Sequence, residues 1–148
     1  MAQRCPDCGA EFATGEQCRE RFDLCLAKEL ENPTTYGLVH HLTVICYMLQ
    51  HQGYSRQGWL EARELLVKFM RQGQTPAEIR RQNHQRLDSG RRTWSVTRGE
   101  KFSPAGVSWT RTIADVRLDN AEVYQANVTL WARAVLADTE DLLHDQPV

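Results

Sequence analysis

The sequence predicts a mainly α-helical protein: a bundle of about five helices with a cysteine knuckle at its N-terminus and one short extended segment. Apolar residues recur at helical spacing along most of the chain, and capping residues and Pro or Gly stop signals separate the repeats. A pair of cysteines precedes the first repeat. Because 148 residues are enough for one core and too few for two, we expect a single domain over residues 1–148.

Composition and charge exclude several classes of protein. The chain has 18 Lys and Arg against 19 Asp and Glu, for a net charge of −1, so no overall positive charge drives binding to nucleic acid or to anionic membranes. The longest apolar run, residues 44–49, is far shorter than a membrane span. No apolar stretch follows the first residues, so we expect no secretory signal and a cytoplasmic protein. Its five cysteines then indicate free thiols or metal ligands.

The first third of the chain predicts a knuckle followed by two paired helices. Residues 1–17 form the knuckle and a loop, and residues 18–51 form an antiparallel helical hairpin. Its first helix, 18–31, ends at Asn32-Pro33 because the residue before proline avoids the helical region. The second helix, about 36–51, is apolar enough to be the central buried element. The apolar stripe of the first helix consists of Phe22, Cys25, Leu26 and Leu30.

Residues 55–88 predict two further helices. Ser55 is an N-cap for the third helix. The sequence Thr75-Pro76-Ala77-Glu78 is a capping box with proline at the first helical position, and it starts the fourth helix. We assign Trp59, Ala62, Leu66, Phe69 and Met70 to the apolar face of the third helix, and Arg63, Glu64, Lys68 and Arg71 to its charged face.

The remainder of the chain combines a basic segment with a final helix. Residues 89–118 predict a basic loop followed by an extended segment, because residues 80–101 contain seven Lys or Arg and few apolar positions. Asp119-Asn120-Ala121-Glu122 is a capping box that starts a C-terminal helix over residues 119–143. The apolar repeat of this helix is Val123, Ala126, Leu130, Ala134 and Ala137.

The most specific motif is the cysteine pair in Cys5-Pro6-Asp7-Cys8-Gly9. Two thiolates three residues apart, with glycine after the second, suit a tight turn that directs both sulfurs at one Zn²⁺. A thioredoxin-like redox pair is the competing interpretation, but that motif follows a strand, and only four residues precede Cys5. The pair therefore predicts an N-terminal zinc knuckle, which needs two more ligands for a tetrahedral structural site.

The helical hairpin supplies these two ligands. Because the loop between its helices is short, residues whose numbers sum to about 69 lie opposite one another. Cys18 then faces His51, at the end of the hairpin that leads back to the knuckle. Cys25 and Cys46 fall on apolar helix faces and are assigned to the core. We therefore predict a Cys₃His zinc site formed by Cys5, Cys8, Cys18 and His51.

The second helix also carries a polar stripe, and the same register places Glu29 of the first helix opposite His40. In one interpretation the polar residues line a small cleft in which His40, oriented by Glu29, acts as an acid or a base. In the other they form a buried hydrogen-bond network that fixes the helix register. We favour the network, because no nucleophile or oxyanion donor accompanies them. The residues concerned are Glu29, His40, Thr43, Tyr47 and Gln50.

In these segments the chain resembles a group of small bacterial proteins known only as a domain of unknown function. That family has a Cys-Pro-x-Cys-Gly knuckle, a later cysteine that opens a helix ending in Ala-Arg-Glu-Tyr, and a Val-His-x-Leu-Thr-Val-Asp-Ala-Tyr-x-x-Gln-His-Pro signature. The corresponding segments are residues 5–9, Cys18, residues 27–30 and residues 39–51, with Ile45 in place of the Asp and Gln52 in place of the final Pro. The resemblance implies no activity. The residues that coincide with its signature are Cys5, Cys8, Cys18, Glu29, His40, Tyr47, Gln50 and His51.

Three functions are compatible with these features. The first is a zinc-stabilised helical module with a structural metal, which binds or regulates an unknown protein or small-molecule partner away from the membrane. The alternative is a metal-dependent, hydrolase-like enzyme, with Glu29, His40 and Tyr47 as candidate catalytic residues beside a metal that keeps one open position. The third is nucleic-acid binding through residues 80–101, with Trp94 as a stacking surface. We disfavour the third, because a run of charges is usually a solvated face.

Overall fold

The computed structural model describes residues 4–88 and 100–144, and within these ranges the fold is mainly helical with no β-strand. The predicted fold class is therefore confirmed. None of the described helices is both long and apolar enough to cross a bilayer. Most of the basic loop, including Trp94, lies outside the described residues, so its role in nucleic-acid binding stays a prediction. The helices are α1 (Cys18–Glu31), α2 (His40–Gln50), α3 (Arg56–Met70), α4 (Pro76–Asp88), α5 (Ala121–Asp138) and α6 (Glu140–His144).

The first two helices form the predicted hairpin. A capping box between Gln17 and Glu20 starts α1, which has the predicted bounds. The second helix begins as a 3₁₀ turn, Tyr36–Val39, before α2. This turn passes close to α1, since a Cβ on Gly37 would lie 2.9 Å from the carbonyl oxygen of Glu29. Only glycine allows this approach, so the backbone itself fixes where the two helices meet.

The buried face of α1 differs from the predicted stripe at one position. Phe22 and Cys25 are buried as predicted, but Leu30 is 84% exposed, whereas Glu29 is only 3% exposed. At about 100° per residue, Glu29 lies near the centre of the face that contains Phe22 and Cys25, and Leu30 lies at its margin. Burial of a carboxylate requires hydrogen-bond partners, and these come from α2 and α5, as described below.

The caps predicted for α3 and α4 are present. Oγ of Ser55 accepts a hydrogen bond of 3.1 Å from the N–H of Gly58. At the start of α4, the N–H of Glu78 donates to Oγ1 of Thr75, and the N–H of Thr75 donates to the Glu78 carboxylate. Local side-chain chemistry therefore defines both starts. The predicted apolar face of α3 is buried at Trp59, Ala62 and Leu66.

Arg63 is predicted on the charged face of α3, but its side chain is buried, and the residue is 4% exposed. Its Nε donates to Oγ1 of Thr139 at 2.7 Å, and its Nη2 donates to the carbonyl of Leu136 at 3.0 Å. Both acceptors belong to the C-terminal end of α5, where unpaired carbonyls and the helix dipole favour a cation. The guanidinium thus acts as a cap for α5 and fixes α3 against that helix.

The last long helix has its N-cap one residue later than the capping box predicted to start at Asp119. Asn120 is the N-cap of α5, and its Oδ1 accepts a hydrogen bond of 2.9 Å from the N–H of Val123. Asp119 is therefore not the cap and pairs instead with Arg117. The predicted helix over residues 119–143 is also interrupted, since Thr139 separates α5 from α6.

The apolar repeat predicted for α5 is wrong. Ala126 and Leu130 are exposed, although both belong to that repeat. The helix is apolar on more than one side, so its sequence allows two faces, and the larger aromatic residues take the core side. The buried residues of α5 are Tyr124, Val128, Trp131, Ala132, Val135 and Leu136.

The segment before α5 contains a 3₁₀ turn where a short strand or extended run is predicted. The turn Ile113–Asp115 has Thr112 as its N-cap. Ile113 and Val116 are almost completely buried, so two side chains anchor this part of residues 107–116 to the core. No strand is present among the described residues of the segment.

The centre of the core is α2, which packs against α3 and α5. The indole of Trp59 donates to the carbonyl of Leu49 at 3.0 Å, and the indole of Trp131 donates to Oε1 of Gln50 at 3.1 Å. Nε2 of Gln50 in turn donates to the carbonyl of Arg111 at 2.8 Å. One buried amide therefore joins α2, α5 and the segment before α5, with both of its polar atoms satisfied.

Replacing Arg63 with alanine should lower the free energy of unfolding by about 3 kcal/mol, because the Thr139 hydroxyl and the Leu136 carbonyl both lose a charged donor in a buried position. Arg133, which is exposed on α5, provides the control: Arg133→Ala should change the same quantity by less than about 0.5 kcal/mol. Urea unfolding followed by circular dichroism measures both variants. Equal losses in the two would contradict the capping role of Arg63.

Candidate metal centre

Four side chains from three parts of the chain meet at one end of the α1–α2 hairpin. One ligand atom from each, three sulfurs and a ring nitrogen, all lie within 4.8 Å of one another. All five cysteines of the chain are free thiols, so no disulfide competes for these sulfurs. The cluster can hold a metal ion. Its members are the four ligands predicted from the knuckle motif and the hairpin register: Cys5, Cys8, Cys18 and His51.

The knuckle is closed by its own backbone. The N–H of Cys5 donates to the carbonyl of Ala10, and the N–H of Gly9 donates to the carbonyl of Cys5, both at 2.9 Å. Gly9 has a φ of +81°, a left-handed conformation that glycine adopts without steric cost. This turn brings Cys5 and Cys8 back to the same point beside α1.

Two helix ends position the other members of the cluster. Cys18 is the first residue of α1, and His51 is the C-cap of α2. The chain then leaves α2 through Gln52, which has a φ of +57°. Nε2 of Gln52 donates to Oδ1 of Asp7 at 2.9 Å, so the end of α2 is tied directly to the knuckle.

The imidazole of His51 is oriented by its own helix. Nδ1–H donates to the backbone carbonyl of Tyr47 at 2.8 Å, which leaves the lone pair on Nε2. Nε2 is buried and has no hydrogen-bond partner among the described residues. A buried acceptor without a partner is costly unless it binds something else. Histidines that bind metals typically make this kind of hydrogen bond with their second nitrogen.

The spacing of the sulfurs also fits a metal ion. In a tetrahedral site with metal–sulfur distances of about 2.3 Å, neighbouring sulfurs are about 3.8 Å apart. The Sγ atoms of Cys8 and Cys18 are 3.6 Å apart, close to this value. The four residues therefore fit a tetrahedral ion bound by sulfur and nitrogen.

Without a metal ion, the surroundings of Cys8 disfavour its ionised form. The contact with Cys18, together with burial, raises the pKa of Cys8 to about 12. A divalent cation reverses this preference, because it binds the thiolate and releases the proton. Cys25 and Cys46 are fully buried away from the cluster, so their assignment to the core is confirmed, and burial raises the pKa of both thiols.

Tyr47 contacts the cluster through His51. Its ring lies between those of Phe22 and His51, with centroid distances of 3.9 and 4.0 Å. Burial raises the pKa of the Tyr47 phenol to about 12, so the ring is neutral at physiological pH. The stack holds the plane of the imidazole, which gives Tyr47 a positioning role beside the candidate ligand.

A second polar cluster surrounds Glu29 at the opposite end of the hairpin. Nδ1 of His40 donates to its Oε1 at 2.7 Å, and Oγ1 of Thr43 donates to its Oε2 at 2.6 Å. The hydroxyl of Tyr124, on α5, also donates to Oε2. The Glu29 carboxylate is buried, whereas the side chain of His40 is 58% exposed. The predicted Glu29–His40 pair is confirmed, and Tyr124 joins it from a helix whose orientation the sequence does not fix.

The structure does not bring the five residues of the predicted cleft together in one place. The cluster around Glu29 and the stack on His51 belong to opposite ends of α2, eleven residues or about 16 Å apart along its axis. This separation agrees with the network interpretation and not with one shared cleft. The predicted cleft residues instead belong to three separate groups: Glu29, His40 and Thr43 with Tyr124; Tyr47 with His51; and Gln50 with Trp131.

Two cavities border the knuckle. One, of about 580 Å³, lies between the knuckle and residues 107–115. The other, of about 370 Å³, lies between the knuckle, the start of α1 and the Tyr47–His51 stack. Cys5 lines both cavities, whereas Glu29 lines neither.

The chain matches a known protein family over most of its length. Residues 3–140 match the family of unknown function DUF5946. The chain belongs to this family. The matched range of this DUF5946 protein includes the metal centre, the Glu29 cluster and Tyr124, so the resemblance noted in the sequence is confirmed at the level of the family. Searches of curated proteins and of solved structures returned no match.

In this DUF5946 protein, replacing Tyr124 with phenylalanine should lower the free energy of unfolding by about 2 kcal/mol, because the buried Glu29 carboxylate loses a donor. Tyr36→Phe provides the control. The Tyr36 hydroxyl donates to the carbonyl of Leu118 at 3.1 Å in a part-buried position, so its loss should cost about 1 kcal/mol. Thermal unfolding compares the variants, and a smaller loss for Tyr124→Phe than for Tyr36→Phe would contradict the role of Tyr124.

Replacing Gly9 with alanine should weaken metal binding about tenfold, because the left-handed φ strains any other residue in the knuckle by about 1–2 kcal/mol. Gly15→Ala is a matched control: its φ is +75°, and no atom lies within 4 Å of the added Cβ. It introduces similar strain outside the knuckle. Competition with a chromogenic chelator measures the affinity, and an equal affinity in the two variants would refute this role of Gly9.

Proposed function

We propose that this protein is a zinc-stabilised helical module of the cytoplasm, in which Cys5, Cys8, Cys18 and His51 hold a structural Zn²⁺. One observation carries the proposal. The buried Nε2 of His51, left with its lone pair by the hydrogen bond at Nδ1, lies beside three cysteine sulfurs and has no hydrogen-bond partner among the described residues. Five free thiols agree with a reducing compartment.

Zinc is the metal that this set of ligands favours. Zn²⁺ takes four tetrahedral ligands from cysteine and histidine, whereas Ca²⁺ and Mg²⁺ take oxygen ligands in larger numbers. Cysteine-rich sites also bind iron, so identification of the metal is part of the test below. When bound, zinc supplies a cross-link between parts of the chain that no disulfide joins.

The number of ligands favours a structural role. Four protein ligands complete a tetrahedral zinc site and leave no position for a water or a substrate. A hydrolase would need such a position with acid or base groups beside it, and the Glu29–His40 pair lies about 16 Å away along α2. The cross-link instead joins the knuckle to the adjoining ends of α1 and α2, where Gln52 already contacts Asp7.

The binding function that we propose depends on the position of the knuckle. Residues 4–11 form one wall of the cavity of about 580 Å³, and residues 107–115 form the other. A metal that fixes the knuckle against the helices therefore also fixes the position of this cavity wall. We propose that the cavity receives the partner, a small molecule or a segment of another protein.

Purified protein should contain about one zinc per chain by elemental analysis. Cys8→Ala and His51→Ala should each lose most of this zinc, because a structural site rarely retains its metal with three ligands. Cys46→Ala is the control. It removes an equally buried thiol from the core, so it should retain full zinc while losing about 1–2 kcal/mol of stability.

Removal of the metal with a chelator should lower the midpoint of thermal unfolding by on the order of 10 °C, because the bound ion stabilises only the folded state. Full zinc content in both ligand variants would refute the site. Iron in place of zinc would keep the metal centre and refute the choice of metal.

A further inference from the structure

The cysteines of the chain differ in their access to solvent. Cys8 is 4% exposed and Cys18 is 7% exposed, and Cys25 is fully buried. Cys5 is only partly buried, and it lines both cavities beside the knuckle. A small solute that enters either cavity therefore meets Cys5 on a wall of that cavity.

Arg4 supplies a positive charge at the same place. It lines both cavities beside Cys5 and takes part in none of the ion pairs of the described residues. Its guanidinium lies over the knuckle, since its Nε and Nη2 are each 3.3 Å from the position of a Cβ on Gly9. A cation at this position stabilises the negative charge that develops on a leaving oxygen.

Two further thiols lie within reach of Cys5. The sulfurs of Cys8 and Cys18 are within 4.8 Å of its sulfur, so either can close a disulfide after a small movement of the knuckle. Cysteines that sense oxidants combine these properties: an accessible sulfur, a nearby cation and a second cysteine that resolves the oxidised form.

We infer that Cys5 is a modification site for hydroperoxides and that Cys8 or Cys18 resolves it as a disulfide. The Cys5 sulfur attacks the terminal oxygen of the peroxide, the O–O bond breaks, and the alcohol or water leaves, so that Cys5 becomes a sulfenic acid. The second thiol then attacks the Cys5 sulfur and releases water. The two cysteines lose two electrons, and the peroxide gains them.

This inference rests on the proposed zinc site and adds a consequence for it. A disulfide between Cys5 and a second ligand removes two of four metal ligands, so the metal must leave. The knuckle then loses its metal link to His51 at the end of α2, so the wall that it forms in the larger cavity is held less firmly. A binding module built in this way is switched off by oxidation and restored by a thiol reductant together with zinc.

The test treats zinc-loaded protein with increasing amounts of hydrogen peroxide. Released zinc is measured with a chromogenic chelator, and sulfenic acid is trapped with a dione reagent and located by peptide mass mapping. Cys5 should carry the trapped adduct first, on the order of tenfold faster than Cys8 or Cys18. Zinc release should follow the disulfide one to one, and dithiothreitol with added zinc should restore the bound metal.

A variant that keeps all the ligands separates this inference from the zinc site itself. Arg4→Gln should retain one zinc per chain but release it several-fold more slowly under peroxide, because the leaving oxygen loses its cation. Arg133→Gln, on the exposed side of α5, should behave as the unmodified protein.

The outcomes are distinguishable. Protein that binds no zinc, or that keeps zinc in the Cys8→Ala and His51→Ala variants, refutes the proposed function. Protein that binds zinc through the four ligands but is first oxidised at another cysteine refutes only the role of Cys5. An unchanged rate of zinc release in Arg4→Gln refutes the role of Arg4 in that reaction.

Discussion

The antiparallel register of α1 against α2 determines most of the chemistry of this protein. One alignment of two helices places Cys18 beside His51 at one end and Glu29 beside His40 at the other. The close approach at Gly37 fixes that alignment through backbone contact, independently of any side chain. A shift of one residue would separate both pairs at once. The candidate metal centre and the buried carboxylate are therefore two consequences of one packing constraint.

Structural features that depend only on residues close together in the chain can be predicted from the sequence alone. The caps at Ser55 and Thr75 and the turn at Gly9 are set by local hydrogen bonds, so the helix starts and the knuckle can be predicted without the fold. The hairpin register can also be predicted, because a short loop leaves few alignments. These two facts together are enough to identify the four candidate ligands.

Features that depend on distant elements do not follow in this way. Burial of Arg63 requires the C-terminal carbonyls of α5, and the third donor to Glu29 is Tyr124, which is 95 residues away in sequence. The sequence of α5 is apolar on more than one side, so it does not determine which face meets the core. Tyr47 and Gln50 share a helix face with His40, but they interact with other residues. Tyr47 stacks on His51 at the other end of the hairpin, and Gln50 accepts a hydrogen bond from Trp131, outside the hairpin.

The positions of the candidate ligands also have a consequence for the order of assembly. All four precede residue 52, so the set is synthesised before α3, α4 and α5. The bonds from Tyr124 and Trp131 close only when α5 emerges, at separations of 95 and 81 residues. Contacts between nearby residues form before distant ones because their loops cost less entropy to close. The hairpin and its four candidate ligands can therefore assemble first and present a preformed surface to α5.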